Sequence, residues 1–184
     1  MIIGLTGRYA SGKGEIAAYL RKKGFGYFSF SVQMEEECRK RGLEPTRENL
    51  INIANELREK SGNDYWAKKI IERLGTKKNY VVESFRNPEE VKAFKKIPGF
   101  FLLLVEAPQK KRFERTLARK RTADFKSFQE FKKFEEMEKK SKNKAAQQLE
   151  ECEKMADLKI MNNGTLQQLH KKIGLLLKEL RVQK

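Results

Sequence analysis

The first fourteen residues combine the residue types that bind phosphate. An apolar run, Ile2–Thr6, leads directly into Gly7-x-x-x-x-Gly12-Lys13. In a loop of this kind, backbone N–H groups point at a phosphate, the lysine reaches the β- and γ-phosphates, and glycines permit close approach. A helix starting near Gly12 would direct its positive N-terminal end at the same phosphates. The spacing therefore predicts a nucleotide-binding loop, and its residues are Gly7, Arg8, Tyr9, Ala10, Ser11, Gly12, Lys13, Gly14 and Glu15.

Two residues of this loop depart from its usual form. Most such loops carry Ser or Thr after the lysine, and its hydroxyl binds Mg²⁺, whereas this chain has Gly14. Glu15 then places a carboxylate beside the phosphates, where Mg²⁺ or an arginine has to offset the repulsion. Nucleotide binding is therefore predicted without a protein hydroxyl on the metal.

Charged residues also follow the third predicted strand. Tyr80–Glu83 ends in a carboxylate, and Ser84-Phe85-Arg86-Asn87-Pro88 comes next. Because ligands bind at the carboxyl ends of parallel strands, Glu83 and Arg86 are predicted to lie near the loop. Glu83 is suited to hold Mg²⁺ through water or to orient an acceptor hydroxyl, and Arg86 to bind an acceptor phosphate. A surface pair of Glu83 with Arg86 is the alternative interpretation.

Strand-like and helix-like patterns alternate along the chain. Several predicted strands are continuous apolar runs, as is typical of parallel strands buried on both faces. The strands are predicted at Ile2–Thr6, Gly26–Ser31, Tyr80–Glu83, Phe100–Ala107 and Leu158–Met161. Helix starts are predicted at Thr46, Asp64, Asn87, Ser127 and Thr165. The pattern predicts an α/β fold with a doubly wound, five-stranded parallel sheet.

Length and charge limit the partners. The 184 residues predict a single domain over 1–184, with 39% hydrophobic residues available for a core. The net charge of +16 favours anionic partners such as nucleotides or nucleic acid. The positive charge is unevenly distributed along the chain, because Gln109–Lys126 holds eight basic residues and two acidic ones. That segment is suited to bind a phosphate chain.

The remaining reactive side chains favour structural roles. Cys38 and Cys152 lack metal-ligand spacing, so reduced structural thiols are predicted. His170, the only histidine, falls in an amphipathic C-terminal pattern, which favours a surface or half-buried role over catalysis. No apolar stretch approaches the length of a membrane span, so we predict a cytoplasmic protein with no membrane partner. The sequence does not define an oligomeric state.

These features resemble the nucleoside monophosphate kinase group of P-loop NTPases. The resemblance is carried by the strand–GxxxxGK–helix unit, Glu83 and Arg86 after strand three, the arginine-rich segment after strand four, and Asn162-Asn163-Gly164-Thr165 after the last strand. Within the group, the chain is most similar to dephospho-CoA kinase-like and deoxynucleoside monophosphate kinase-like proteins. The resemblance covers nearly the whole chain and implies ATP and Mg²⁺ as cofactors, with a small phosphorylated acceptor.

The resemblance also implies roles for individual segments. Residues 109–126 would form a mobile lid whose arginines meet the transferring phosphate, and the turn after the last strand would pack beside adenine. The lid arginines are Arg112, Arg115, Arg119 and Arg121, and the turn residues are Asn162, Asn163, Gly164 and Thr165. Catalysis would then rest on Lys13, Glu83, Arg115 and Arg119.

The helical insertion between strands two and three, residues 33–75, would form the acceptor pocket. With Arg86, it would supply Arg47 and Arg58 to the acceptor phosphate. Solvated helix residues are the alternative for Arg47 and Arg58, and a simple turn is the alternative for Asn163 and Gly164.

The chain departs from this group after its second strand. Related kinases commonly carry an Asp there in a Ser-x-Ser-Asp-like run, followed three residues later by Arg. This chain has Ser29-Phe30-Ser31-Val32 and then Glu35. The change would remove a group that orients the acceptor hydroxyl and would reverse charge where an anion binds.

Three functions are consistent with the sequence. The first is an ATP-dependent phosphotransferase that acts on a small phosphorylated acceptor. The second is a catalytically weakened relative that binds a nucleotide as a sensor or partner-binding protein, as Gly14, Val32 and Glu35 suggest. The third, less favoured, is a nucleic-acid-binding ATPase, suggested by the net charge and by phenylalanines among basic residues after Lys110. Some of these phenylalanines recur at helical spacing, which favours packing against the core.

Overall fold

A computed structural model of the chain describes residues 1–76, 78–118, 125–139 and 148–182. Five strands and the helices between them alternate along these residues. The strands are β1 (Ile2–Thr6), β2 (Gly26–Ser29), β3 (Tyr80–Glu83), β4 (Phe100–Glu106) and β5 (Leu158–Met161). The helices are α1 (Lys13–Lys22), α2 (Phe30–Lys40), α3 (Arg47–Ser61), α4 (Tyr65–Ile71), α5 (Pro88–Lys95), α6 (Gln109–Ala118), α7 (Phe128–Lys139), α8 (Leu149–Lys154) and α9 (Leu166–Val182).

The strands form one parallel sheet in the order β2-β3-β1-β4-β5. The central strand β1 is flanked by β3 and β4, with Gly4 opposite both Val82 and Leu102. After β1 the chain forms β2 and β3 on one side of that strand and then β4 and β5 on the other side. The loop after β1 therefore lies where the strand order reverses. Ligands bind at that point in open α/β sheets. The α/β, five-stranded parallel fold is therefore confirmed.

The sheet is buried on both faces because alternate residues of each strand enter different cores. Ile2 and Val82 pack on one face with helices α2, α4 and α5. Ile3 and Leu5 pack on the other face with α1 and α9. This double burial explains why the central strands are continuous apolar runs.

Two predicted strands are too long. The strand predicted over Phe100–Ala107 ends one residue earlier, at Glu106, where its pairing with β5 also ends. The sequence predicts a strand over Gly26–Ser31, but β2 ends at Ser29. Its last pairing is with Glu83, where β3 also ends, so residues further along have no strand to bond. Phe30 instead begins α2 and is buried against Phe85 and Phe94.

Helix starts follow local capping. Thr46 Oγ1 accepts from the N–H of Asn49 at the start of α3, and Asn87 forms a capping box with Glu90 at the start of α5. Gln168 and Thr165 bond reciprocally at the start of α9. Over the described ranges, none of the helices combines the length and apolar character that crossing a membrane requires.

Candidate nucleotide and acceptor site

The loop between β1 and α1 has the backbone form that phosphate binding needs. Gly7 and Gly12 have φ values of 130° and 107°, which residues other than glycine rarely adopt. A Cβ at Gly7 would overlap the carbonyl of Val105, and one at Gly12 would overlap the side chain of Asn162. These glycines therefore allow the loop to pass closely under neighbouring strand ends.

Lys13 opens α1 with its ammonium turned back into the loop. The side chain is buried, and Nζ donates to the carbonyl oxygens of Gly7 at 2.7 Å and Arg8 at 3.0 Å. The charge thus lies inside the curve of the loop. A lysine so placed is positioned to meet the phosphates of a nucleotide.

Gly14 and Glu15 are both exposed at the start of α1. A Cβ added at Gly14 would meet nothing within 4 Å, so packing does not require glycine there. The position has room for a serine hydroxyl but lacks one. Glu15 belongs to the first turn of the helix and lines the space that the loop faces.

The ends of β1, β2 and β3 enclose a cavity of about 610 Å³. Three parts of the chain line it, and seven of the nine predicted loop residues are among them. The loop contributes Tyr9, Ala10, Ser11, Gly12, Lys13, Gly14 and Glu15, the β2–α2 segment Tyr27, Ser29, Ser31 and Val32, and the end of β3 Glu83, Ser84 and Arg86. The structure therefore brings the predicted loop, Glu83 and Arg86 to one cavity.

Glu83 is held from β2. Its Oε2 accepts a hydrogen bond of 3.0 Å from the hydroxyl of Tyr27. Burial, followed by the negative charge of Glu83, raises the pKa of Tyr27 to about 12. Ser84, the next residue, has a φ of 77°, which is strained for a non-glycine residue. The chain therefore turns sharply where β3 meets the cavity.

Arg58 is buried and paired with a carboxylate, and it also lines a smaller cavity together with Arg47. Its guanidinium is 2% exposed, and Nη2 and Nε contact Glu90 Oε1 at 2.6 and 3.2 Å. The other oxygen of Glu90 accepts from the backbone N–H groups of Arg86 and Asn87. Arg58 thus helps to fix the turn after β3, and its role at an acceptor phosphate stays a prediction.

Arg47 lies at a second, smaller cavity of about 140 Å³ beside the first. The two cavities share Tyr9, Ser31, Ser84 and Arg86. The exposed Arg47 places its guanidinium 3.8 Å from the ring centre of Phe134 in α7. This contact joins the start of α3 to α7.

The predicted lid arginines have different environments. Arg112 is 4% exposed, and its Nη2 lies 3.0 Å from Glu135 Oε2, so an internal carboxylate already matches its charge. Arg115 donates to the carbonyls of Ala10 at 3.3 Å, Ser11 at 3.2 Å and Asn162 at 3.0 Å. Arg115 therefore ties α6 to the loop. Arg119 and Arg121 lie outside the described residues.

The turn after β5 borders a third cavity, of about 350 Å³. Gly164 lines it, whereas the Thr165 hydroxyl caps α9 and the Asn163 carbonyl accepts from Lys111. Sequence reasoning about the turn missed the apolar part of this wall. This apolar part consists of Ala118 at the end of α6 and of Leu166 and Leu169 in α9. The apolar periodicity of α9 was the sequence feature that could have predicted the two leucines.

Arg8 points away from the main cavity. Its guanidinium lies 3.5 Å from the carboxylate of Glu150 and 3.5 Å from that of Glu153, and both glutamates are in α8. Burial raises the pKa of Glu153, and the charge of Arg8 opposes that rise. Arg8 thus anchors the predicted nucleotide-binding loop to α8.

Comparison with known proteins defines the class of this fold. A family model described as an AAA domain matches residues 3–127. TT1252 from Thermus thermophilus superimposes with a TM-score of 0.62 at 23% identity, over 98% of this chain and 97% of that one. A shikimate kinase from Aquifex aeolicus gives 0.57 at 16% identity, over 99% of both chains. A gluconokinase from Sinorhizobium meliloti gives 0.56 at 15% identity, over 99% and 96%. The fold is that of a P-loop kinase-like domain.

Closer relatives define the family. A UPF0200/UPF0201 protein of Archaeoglobus fulgidus is 36% identical over 185 residues, which cover 97% of this chain and 55% of that protein. A UPF0200 protein of Pyrococcus horikoshii is 32% identical over 183 residues, covering 94% of each. The chain belongs to the UPF0200 family. It spans about half of the Archaeoglobus relative and nearly all of the Pyrococcus one.

Proposed function

We propose that this protein is an ATP-dependent phosphotransferase that moves the γ-phosphoryl group to a small phosphorylated acceptor. The observation that carries the proposal is the cavity of about 610 Å³, which is lined both by Lys13 of the loop and by Glu83 and Arg86 after β3. A donor phosphate held by the loop and an acceptor held at β3 would share that space. Phosphoryl transfer depends mainly on such positioning and on charge stabilisation.

In this reaction an acceptor oxygen bonds to the γ-phosphorus, and the bond between that phosphorus and the β–γ bridging oxygen breaks. ADP leaves, and the acceptor hydroxyl proton passes to a base. Glu83 is our assignment for that base, Lys13 neutralises charge on the transferring group, and Arg86 holds the acceptor phosphate. Arg115 would support the loop from α6, and Arg119 keeps its assigned role in the lid, residues 109–126.

The residues present fit Mg²⁺ bound mainly by the nucleotide. Gly14 supplies no hydroxyl, and among the described residues there is no group of three or more carboxylate, His or Cys side chains arranged as a metal site. Mg²⁺ commonly keeps several waters and uses few protein ligands in nucleotide sites. Glu83 would hold such a water. The ion would supply neutralisation of phosphate charge.

The acceptor is proposed to enter through the insertion of residues 33–75. The second cavity continues from the first and carries Arg47 at its edge. Three arginines, Arg47, Arg58 and Arg86, thus line the acceptor side, and Arg58 is paired with Glu90. This cationic border supports a phosphorylated acceptor over a neutral one.

A nucleotide-binding protein without fast turnover is the second candidate. Val32 is 40% exposed and lines the main cavity at the position where related kinases place an acid. Nucleic-acid binding by stacking is less favoured, because Phe113 contacts both Phe128 and Phe131, and Phe131 is fully buried. Rings packed in this way are not available to bases.

Incubation of the protein with Mg-ATP and a panel of nucleoside monophosphates and dephospho-CoA tests the proposal, with ADP release as the readout. Strong ADP release with one acceptor class supports the kinase. ATP binding by calorimetry without turnover of any acceptor would reject it in favour of the sensor. Turnover that requires added DNA or RNA would instead support a nucleic-acid-dependent ATPase.

A further inference from the structure

Tyr27 and Glu83 lie on neighbouring strands and face the same side of the sheet. Tyr27 is paired with Val81, and Ser29 with Glu83. Side chains alternate along a strand, so Tyr27, Ser29 and Glu83 project from one face. Leu5, the β1 partner of Glu83, packs on that face with α1. The tyrosine and the carboxylate therefore lie on the side of the sheet that carries the loop helix.

The hydroxyl of Tyr27 fixes one oxygen of this carboxylate. It donates to Glu83 Oε2 over 3.0 Å, and both side chains line the cavity of about 610 Å³. Among the described residues, Tyr27 is the hydrogen-bond partner that the structure gives to the Glu83 side chain. The contact leaves Oε1 for a ligand in the cavity.

The environment of Tyr27 keeps its hydroxyl a donor. The ring is half-buried, and the guanidinium carbon of Arg21 lies 5.2 Å from the ring centre. Burial and the nearby charge of Glu83 raise the pKa of Tyr27 to about 12, while Ser29 and Arg21 act in the opposite direction. The phenol is thus protonated over the whole range in which enzymes are assayed.

We propose that Tyr27 is a positioning residue that orients Glu83 for transfer of the acceptor proton. The inference rests on the proposed function, in which Glu83 accepts that proton. A base must lie within hydrogen-bond reach of the proton that it takes. A carboxylate on a flexible glutamate side chain meets this condition more often when one oxygen is already bound.

Tyr27→Phe removes one oxygen and keeps the ring and its contact with Arg21. Misplacement of a catalytic group or loss of its supporting partner typically costs about 10- to 100-fold, so we expect kcat to fall by about that factor. The nucleotide Kd and acceptor KM should stay unchanged.

Tyr19→Phe is the matched control. Tyr19 lies on α1, is half-buried, and stacks on His170 at 4.6 Å between ring centres. It does not line the cavity at β3, so its variant should keep wild-type kcat. Equal kcat in Tyr27→Phe and wild type, with an active wild type, would overturn the positioning role and leave the proposed function standing.

An NMR titration separates this inference from the proposed function. In protein carrying ¹³C-labelled tyrosine, Glu83→Gln should lower the titration midpoint of Tyr27, because a negative charge beside the phenol is lost. That shift would support the contact even if wild type turned over no acceptor, a result that would reject the proposed function alone. An unchanged midpoint would overturn the positioning role whether or not the protein is active.

Discussion

Lys13 is the residue whose contribution is most directly measurable. Its ammonium already contacts two loop carbonyls, so it is held in place before a nucleotide binds. Hydrogen bonds to charged groups contribute about 1.5–3 kcal/mol, so Lys13→Ala should weaken ATP binding by about 10- to 100-fold. Calorimetry measures the affinity, and circular dichroism should show an intact fold.

Lys22→Ala is the control for this variant. Lys22 lies in the exposed last turn of the same helix, away from the loop. Loss of a lysine there should leave ATP affinity at the wild-type value. Equal affinities for wild type and folded Lys13→Ala would contradict phosphate binding by this loop.

Val32 tests whether the cavity lacks an acceptor-activating acid. The side chain is exposed in the first turn of α2, where an aspartate would meet solvent and the positive end of the helix. Positioned acid–base groups contribute about 10²- to 10⁴-fold, so Val32→Asp should raise turnover measurably if wild type is slow. ATP affinity should scarcely change, because in the proposed mechanism the acceptor rather than the triphosphate meets this residue.

Glu83→Gln resolves the opposite case, a wild type that is already fast at about 1–100 turnovers per second. Loss of turnover in this variant would assign acceptor activation to Glu83. Full activity would show that neither position supplies the acceptor-activating group and would contradict the mechanism.

Elements with a strong local signal were predictable from the sequence. The bounds of β1, β3 and β5 agree with the structure. β1 and β3 are mainly apolar runs that end at Thr6 and Glu83, and β5 is followed by the turn-forming residues Asn162-Asn163-Gly164. The overrun at β2 arose because Phe30 continues the apolar run, while the end of pairing is set by β3. Helix α8 has only six residues, most of them charged, so the sequence shows no hydrophobic periodicity from which this helix could be predicted.

The site follows the same division between local and long-range information. The juxtaposition of the loop with Glu83 could be predicted because parallel strands end at one edge. The ion pair of Arg58 with Glu90 could not be predicted from the sequence, because the two residues are 32 positions apart and only the folded structure brings them together. The same holds for Arg112 and Glu135, which are 23 positions apart.

The Arg58–Glu90 pair joins α3 to the turn that carries Arg86, and its loss should destabilise the fold. Both side chains are buried, and removal of one partner from a buried pair costs about 3–5 kcal/mol. Glu90→Gln should therefore lower the free energy of unfolding by about that amount in urea titrations. The loss should include a weakened cap at α5, because Glu90 also accepts from backbone groups there.

Glu89→Gln supplies the comparison within the same helix turn. The Glu89 side chain is 42% exposed and pairs with Lys92 at the surface. Surface pairs contribute about 0–1 kcal/mol, so this variant should remain close to wild type. Similar losses in the two variants would show that the buried pair does not stabilise the junction of α3 and α5.

At the scale of the whole molecule, the net charge of +16 should act against the compact state. Like charges across the surface repel one another, and salt shortens the range of that repulsion from about 10 Å at 0.1 M to about 3 Å at 1 M. Surface ion pairs such as Lys60–Glu56 weaken at the same time, but exposed pairs contribute little each. The repulsion should therefore dominate the response to salt.

The melting temperature should accordingly rise between low and high NaCl. For a chain of this length, a gain of about 1 kcal/mol corresponds to a rise of about 2–4 °C. Scanning calorimetry in NaCl measures the change, and phosphate and sulfate buffers are avoided because they would also stabilise the loop by binding. Lys13→Ala should show the same rise, because screening acts on the surface and not on one anion site. A melting temperature that falls with NaCl would mean that attractive ion pairs outweigh the excess positive charge.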